Sequence, residues 1–251
     1  MGGMRIEMDD GVGLAVEVAG TGPGLMLVHG FGGAKEDFAD HIDAFAQDHT
    51  VVVFDHRGHG ASDKPADRAM YTMPRLVNDT LAVADAAGLA EFVILGHSMG
   101  GIVARKIVLC EPERVRALIM MDSFAGPIYD CSLLDIAADI ALTQGKDALK
   151  ELLDFAQPLE TPAYQRLINE QPGYQEFVDR KWNDLSEIMW GSLARELGHQ
   201  SDDLDALAQA LRVPLLVLVG ELDTDFVPEA ARIKAAIPSA EHVVIPNAGH
   251  S

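Results

Sequence analysis

Phe92-Val93-Ile94-Leu95-Gly96-His97-Ser98-Met99-Gly100-Gly101 joins a short apolar run to a helical pattern that continues to Leu109. A strand, a turn of the form G-x-S-x-G and a helix together make the setting of a nucleophile elbow. The turn is sharp. A side chain two residues before or after the serine would collide with the neighbouring backbone, so glycine is needed at 96 and 100. The turn lifts the Ser98 hydroxyl out of the sheet. It also aims the first free N–H of the helix, that of Met99, at negative charge forming on a substrate. The bland alternative is a glycine-flanked serine in an ordinary strand–helix turn, and only partners elsewhere in the chain decide between the two.

Working outward, short apolar runs alternate with helical patterns. Leu25–Val28, Val51–Phe54, Phe92–Leu95, Val115–Met121, Leu215–Val219 and His242–Ile245 read as buried strands. Arg5–Met8 and Leu14–Val18, joined around Asp10-Gly11, read as an antiparallel hairpin. Helices are expected over Lys35–Gln47, Met73–Ala87, Met99–Leu109 and Glu229–Ala236. This alternation predicts an α/β fold, a mostly parallel sheet with helices on both faces. It stops between about 126 and 210, a helical stretch that holds Phe155, Phe177, Trp182, Met189 and Trp190. That stretch carries 16 acidic and six basic residues, a net of −10. It reads as a helical cap (126–210) inserted into one core, which is built from the flanking segments 1–125 and 211–251.

A serine needs a base and an acid that orients the base. Asp223 lies just past Leu215–Val219, and His250 just past His242–Ile245. Open α/β sheets place their sites beyond the C-terminal ends of strands, and the order Ser…Asp…His suits a hydrolase triad. Alone, Asp223 would be a loop aspartate and His250 a tail histidine; their joint placement favours the triad. Asp225, in the same loop, and Asp122, which ends Val115–Met121, remain rival acids. His29-Gly30-Phe31-Gly32-Gly33 follows another strand. Its glycines bring the backbone close to a reacting carbonyl, and the Phe31 N–H joins that of Met99 as an oxyanion hole. His29 reads as structural. Phe31, Phe124, Trp182 and Trp190 are the candidate pocket lining; the two tryptophans could equally pack a core within the cap. Cys110 and Cys131 read as interior packing residues.

Four motifs make the chain resemble the α/β-hydrolase superfamily. They are His29–Gly33, the turn Asp55-His56-Arg57-Gly58-His59-Gly60-Ala61-Ser62, the elbow around Ser98, and the pair of loops that hold Asp223 and His250. The likeness is to the serine branch of carboxylesterases, enol-lactonases, carbon–carbon bond hydrolases and cofactor-free haloperoxidase-like enzymes. Dehalogenases and epoxide hydrolases of the superfamily use an aspartate where this chain has Ser98. The resemblance implies acyl transfer on a small to medium, largely apolar ester or lactone. Carbon–carbon bond or enol-lactone hydrolysis with the same triad is the alternative, and a ligand receptor on a hydrolase frame is one of another class. It also implies that Asp55 and Arg57 tie down their turn, and that a further helix follows the histidine. Here the sequence stops at Ser251. The expectation is therefore a piece of a longer reading frame, or a member without that helix, with the sheet uncovered and His250 frayed.

Composition narrows the partners. With 39 Asp and Glu against 19 Lys and Arg the formal net charge is −20, which disfavours nucleic acid and anionic membranes. The nine histidines show no zinc-ligand spacing. No metal or cofactor is expected, and the partner is a small-molecule substrate. No signal-peptide core opens the sequence, so a cytoplasmic location is expected.

Overall fold

The computed structural model describes residues 2–128, 131–156 and 161–250. β1 (Gly2–Glu7) and β2 (Gly13–Ala19) form the expected hairpin, with Arg5 opposite Ala15. β3 (Gly24–Val28), β4 (Thr50–Phe54), β5 (Phe92–His97), β6 (Val115–Met121), β7 (Leu215–Gly220) and β8 (Glu241–Ile245) complete one sheet in the order β1-β2-β4-β3-β5-β6-β7-β8. β2 is antiparallel to both neighbours, and every pair from β4 to β8 is parallel.

The central strands are apolar throughout because both faces are covered. Met26 and Val28 of β3 enter the main core, whereas Leu25 and Leu27 pack with Phe38, Ile42, Val51 and Val53 on the other face. Helix α1 (Ala39–Phe45) supplies Ile42; α2 (Met73–Ala86) and α3 (Met99–Cys110) pack in the main core. Lys35–Phe38 is a separate 3₁₀ turn rather than the start of one long helix. Its amide at Lys35 is taken by the Asp55 carboxylate at 2.8 Å, which pins the turn to the sheet.

Six described helices lie between β6 and β7: α4 (Ser132–Gln144), α5 (Lys146–Ala156), α6 (Pro162–Glu170), α7 (Tyr174–Asn183), α8 (Glu187–Gly198) and α9 (Leu204–Ala210). α8 is seated on the sheet's loops. The Ser186 amide donates to the Gly58 carbonyl at 3.1 Å, and Glu196 accepts from the Met73 amide at 3.1 Å. α10 (Val227–Ala236) begins two residues earlier than expected, with proline in its first turn.

The Asp55–Ser62 turn is held as the resemblance implied. Buried Asp55 also accepts from the Ala61 amide, and Arg57 makes a two-pronged bond to Asp79 at 2.6 Å on each arm. Two expectations fail. β8 is not buried: Val243, Val244 and Ile245 are 38, 44 and 38% exposed, because β8 is the sheet's edge and pairs only with β7. Cys110 is exposed, because the last position of α3 turns away from the sheet; Cys131 is half-buried.

Candidate active site

Ser98 stands between β5 and α3 with φ 52° and ψ −117°, a left-handed backbone unusual for a side chain with a Cβ. Glycine makes the turn possible. A Cβ on Gly96 would lie 2.2 Å from the Gly100 carbonyl oxygen, and one on Gly100 2.1 Å from that of Val28. The Ser98 amide donates to the Met121 carbonyl at 2.9 Å, and the Ser123 hydroxyl donates to the Ser98 carbonyl at 2.7 Å. The end of β6 therefore braces the elbow from one side.

The loop His29–Gly33, expected to supply the oxyanion hole, reaches it from the other. A Cβ on Gly30 would stand 3.1 Å from Ser98 Cβ, so glycine there lets the loop lie tight against the elbow. The amides of Phe31 and Met99 donate to no backbone carbonyl or side chain among the described residues. Behind this loop sit His29, His56 and His59, with ring centroids 4.7 to 6.1 Å apart. His29 accepts the His56 amide at Nε2, leaving Nδ1–H to donate to the Gly30 carbonyl at 2.8 Å. His59 Nε2 accepts the Gly32 amide at 3.2 Å. These histidines are structural, and burial pushes all three below the usual histidine value.

His250 is not frayed. It is buried, and its Nδ1–H donates to Asp223 Oδ2 at 2.7 Å. Its carbonyl accepts from His97 Nε2 at 2.8 Å, which ties its backbone to the elbow. Asp223 sits in the turn after β7, where its own amide bonds back to the Gly220 carbonyl at 3.1 Å. Burial pushes Asp223 up to about 6 and His250 down to about 4, favouring the neutral form of each. Of the rival acids, Asp225 is exposed. Asp122 is buried beside Asp223, but Asp223 makes the bond to the imidazole.

The family model described as the alpha/beta hydrolase fold matches residues 23–251. The chain belongs to this family. As an α/β hydrolase it superposes on a hydrolase from Pseudomonas aeruginosa PA01 with a TM-score of 0.85 at 25% identity, covering 99% of this chain and 92% of that one. A thermophilic esterase from Thermogutta terrifontis gives 0.82 at 25% identity, with 100% and 92% covered. Est816, an N-acyl homoserine lactone degrading enzyme, gives 0.76 at 26%, with 98% and 93% covered. Relatives of this kind are hydrolases, and this chain is one.

Within the hydrolase, the four expected lining residues separate. Phe31 meets Trp190 of α8 at 5.0 Å between centroids, so α8 stands against the His29–Gly33 loop. Phe124 meets Phe226 at 5.8 Å, and Phe226 meets the His250 ring at 4.5 Å. Trp182 is not in this group; Lys150 lies over its ring at 5.9 Å. Phe226 and His97 are not singled out by the sequence. His97 adjoins Ser98 and Phe226 follows Asp223 by three residues, so proximity along the chain was the available signal. A cavity of about 590 Å³ between α6 and the loop before His250 touches Arg166, Leu167, Asn247 and Gly249; Ser98 does not line it. No described helix is long and apolar enough to cross a membrane.

Proposed function

We propose that this hydrolase cleaves small to medium, largely apolar carboxylic esters or lactones through an acyl-enzyme. The observation that carries the reading is the 2.7 Å bond from His250 to Asp223, on a histidine whose backbone is held by the residue before Ser98. With Nδ1–H given to Asp223, the imidazole's Nε2 is the base. Ser98 Oγ adds to the carbonyl carbon while its proton passes to Nε2. The oxyanion is met by the Phe31 and Met99 amides; one such donor is worth roughly 10²–10³ in rate. The Nε2 proton then leaves with the alcohol, and water repeats the cycle on the acyl-serine. Asp223 holds the tautomer and offsets the imidazolium's charge.

The aromatic pairs Phe31–Trp190 and Phe124–Phe226 suit an apolar acyl or alcohol group, with 126–210 acting as the cap. Carbon–carbon bond hydrolysis of carboxylate-bearing substrates is less well supported. The cap's arginines are engaged elsewhere: Arg166 donates to the Asn247 carbonyl, Arg180 lies over Phe177, and Arg195 pairs with Asp139.

The test is fluorophosphonate labelling followed by a p-nitrophenyl ester panel of rising acyl length. Ser98 is expected to take the label, and Ser98→Ala to lose both label and turnover. Labelling elsewhere, or turnover near the parent's in Ser98→Ala, would overturn the assignment. A single slow turnover leaving a stable adduct on Ser98 would favour a receptor on the hydrolase frame.

A further inference from the structure

Asp122 follows β6, and Asp223 follows β7, the strand paired with it. The Asp122 amide continues the ladder to the Leu218 carbonyl at 2.9 Å. Its side chain then does something a loop aspartate has no need to do. It turns back into the protein, where Oδ1 accepts the Gly220 amide at 2.8 Å, and it is only 5% exposed. One oxygen of Asp122, one of Asp223 and a ring nitrogen of His250 lie within 4.8 Å of one another, all three residues buried. The backbone at Asp122 is left-handed, φ 45°. Only two other described non-glycine residues share that state, Ser98 and Asn247, and both lie in loops of this site. Strain of this kind persists where the surroundings hold it in place.

Two carboxyl groups buried this close repel each other when both are ionised, so one of them holds its proton to a higher pH than the other. The hydrogen-bond pattern says which. Asp223 Oδ2 receives Nδ1–H from His250 and serves the imidazole best as a carboxylate. Asp122 has one oxygen committed as acceptor to Gly220, which leaves the other free to carry the proton.

We propose that Asp122 is a positioning residue that keeps its proton after Asp223 has lost its own and donates its carboxyl O–H to the Asp223 carboxylate, so that a proton-sharing pair of acids stands behind His250. This rests on the triad reading above. Burial pushes both carboxyls up to about 6, so the pair's last proton is held to a higher pH than an ordinary aspartate holds it. The other groups that face the pair are His250, His97 and, from its own loop, Asp225. The consequence is a carboxylate restrained twice, by His250 and by Asp122. The imidazole then meets an acid already in place, which is pre-organisation.

Two variants and one measurement test it. Asp122→Asn keeps an acceptor for Gly220 and a donor for Asp223, so kcat at neutral pH is expected within about threefold of the parent. It also removes a titrating group, so any change of rate from ionisation of the pair's second proton should vanish from the pH profile. Asp122→Ala deletes both bonds, and kcat is expected to fall roughly 10- to 100-fold with KM nearly unchanged, the range for a hydrogen bond to a charged group. Carbon-detected NMR of aspartate-labelled resting enzyme reads the pair without any substrate. It should show Asp122 protonated at a pH where Asp223 is ionised. An ionised Asp122 beside a protonated Asp223, an Asn variant as impaired as the Ala variant, or an Ala variant as active as the parent would each overturn the proposal. Failure of the triad reading itself would appear separately, as absence of fluorophosphonate label on Ser98 in the parent.

Discussion

His97 donates from Nε2 to the carbonyl oxygen of His250 at 2.8 Å, and the two imidazoles lie 4.9 Å apart. The residue before the proposed nucleophile therefore holds the backbone of the proposed base, across 153 positions of sequence. Burial, with the neighbouring His250, pushes His97 down to about 4, so it is a neutral donor over the working range. Loss of this bond in His97→Phe is expected to lower kcat about tenfold while KM and melting temperature change little. Steady-state kinetics beside a thermal melt check it. A rise in KM alone would mean that His97 contacts substrate instead.

The buried histidines behind the His29–Gly33 loop are expected to make stability fall in acid. His29, His56 and His59 are all pushed below the ordinary histidine value of 6.5 by burial. The unfolded chain takes up their protons as the pH drops through about 6.5, and the folded chain does not, so their stability is present above 6.5 and lost below it. Neither ring nitrogen of His56 has a partner among the described residues, and its ring packs edge-on against Phe54 at 5.0 Å. His56→Phe removes both the unpartnered nitrogens and the titration. It should melt higher than the parent, and the gap should widen between pH 7 and pH 5. Parallel melting curves across that range would contradict this.

Arg105 of α3 is fully buried and bonds Asp203 at 2.5 Å, while its Nε and Nη2 lack partners among the described residues. Burial pushes its guanidinium below the usual arginine range. Removing the partner should therefore cost more than removing the charge. Asp203→Asn is expected to destabilise by about 3 kcal/mol, whereas Arg105→Met should be close to neutral. Urea denaturation of both variants decides, and the reverse order would show the pair to be strongly net stabilising.

Gly100 tests the elbow as a packing constraint. The Cβ of Gly100→Ala would stand 2.1 Å from a backbone oxygen of β3, with no flexible side chain to yield. A loss above about 3 kcal/mol is expected, enough to deplete soluble protein. Gly88→Ala meets nothing within 4 Å and carries only its φ of +75°, so it should cost about 1 kcal/mol. Comparable melting temperatures for the two would remove the steric account.

Much of the fold and the site is legible locally. Gly96, Ser98 and Gly100 stand out because a sharp strand–helix turn has no other low-energy solution. The central strands do too, since both faces of a parallel sheet need apolar residues. The exposure of β8 is hidden from the sequence because an apolar run looks the same at the centre of a sheet and at its edge; only strand order separates the two. Cys110 is hidden for a similar reason, as the last position of a mostly apolar helix can face either way. Trp182 and Trp190 share a composition and a neighbourhood in sequence, yet only Trp190 reaches Phe31, because α8 docks on the Gly58 turn.

The chain's local chemistry was enough to mark a glycine-flanked serine turn, a glycine-rich loop behind a strand, and an acid and a histidine each behind a strand. Those features arise from backbone sterics and from periodicity, which act over a few residues. The difference in burial among Asp122, Asp223 and Asp225 and the bond of Asp223 to His250, the hold of His97 on His250, and the closeness of two buried carboxyls were decided by the fold alone. They depend on the pairing of β6 with β7 and on burial, which sets the cost of a charge, and both belong to the assembled sheet.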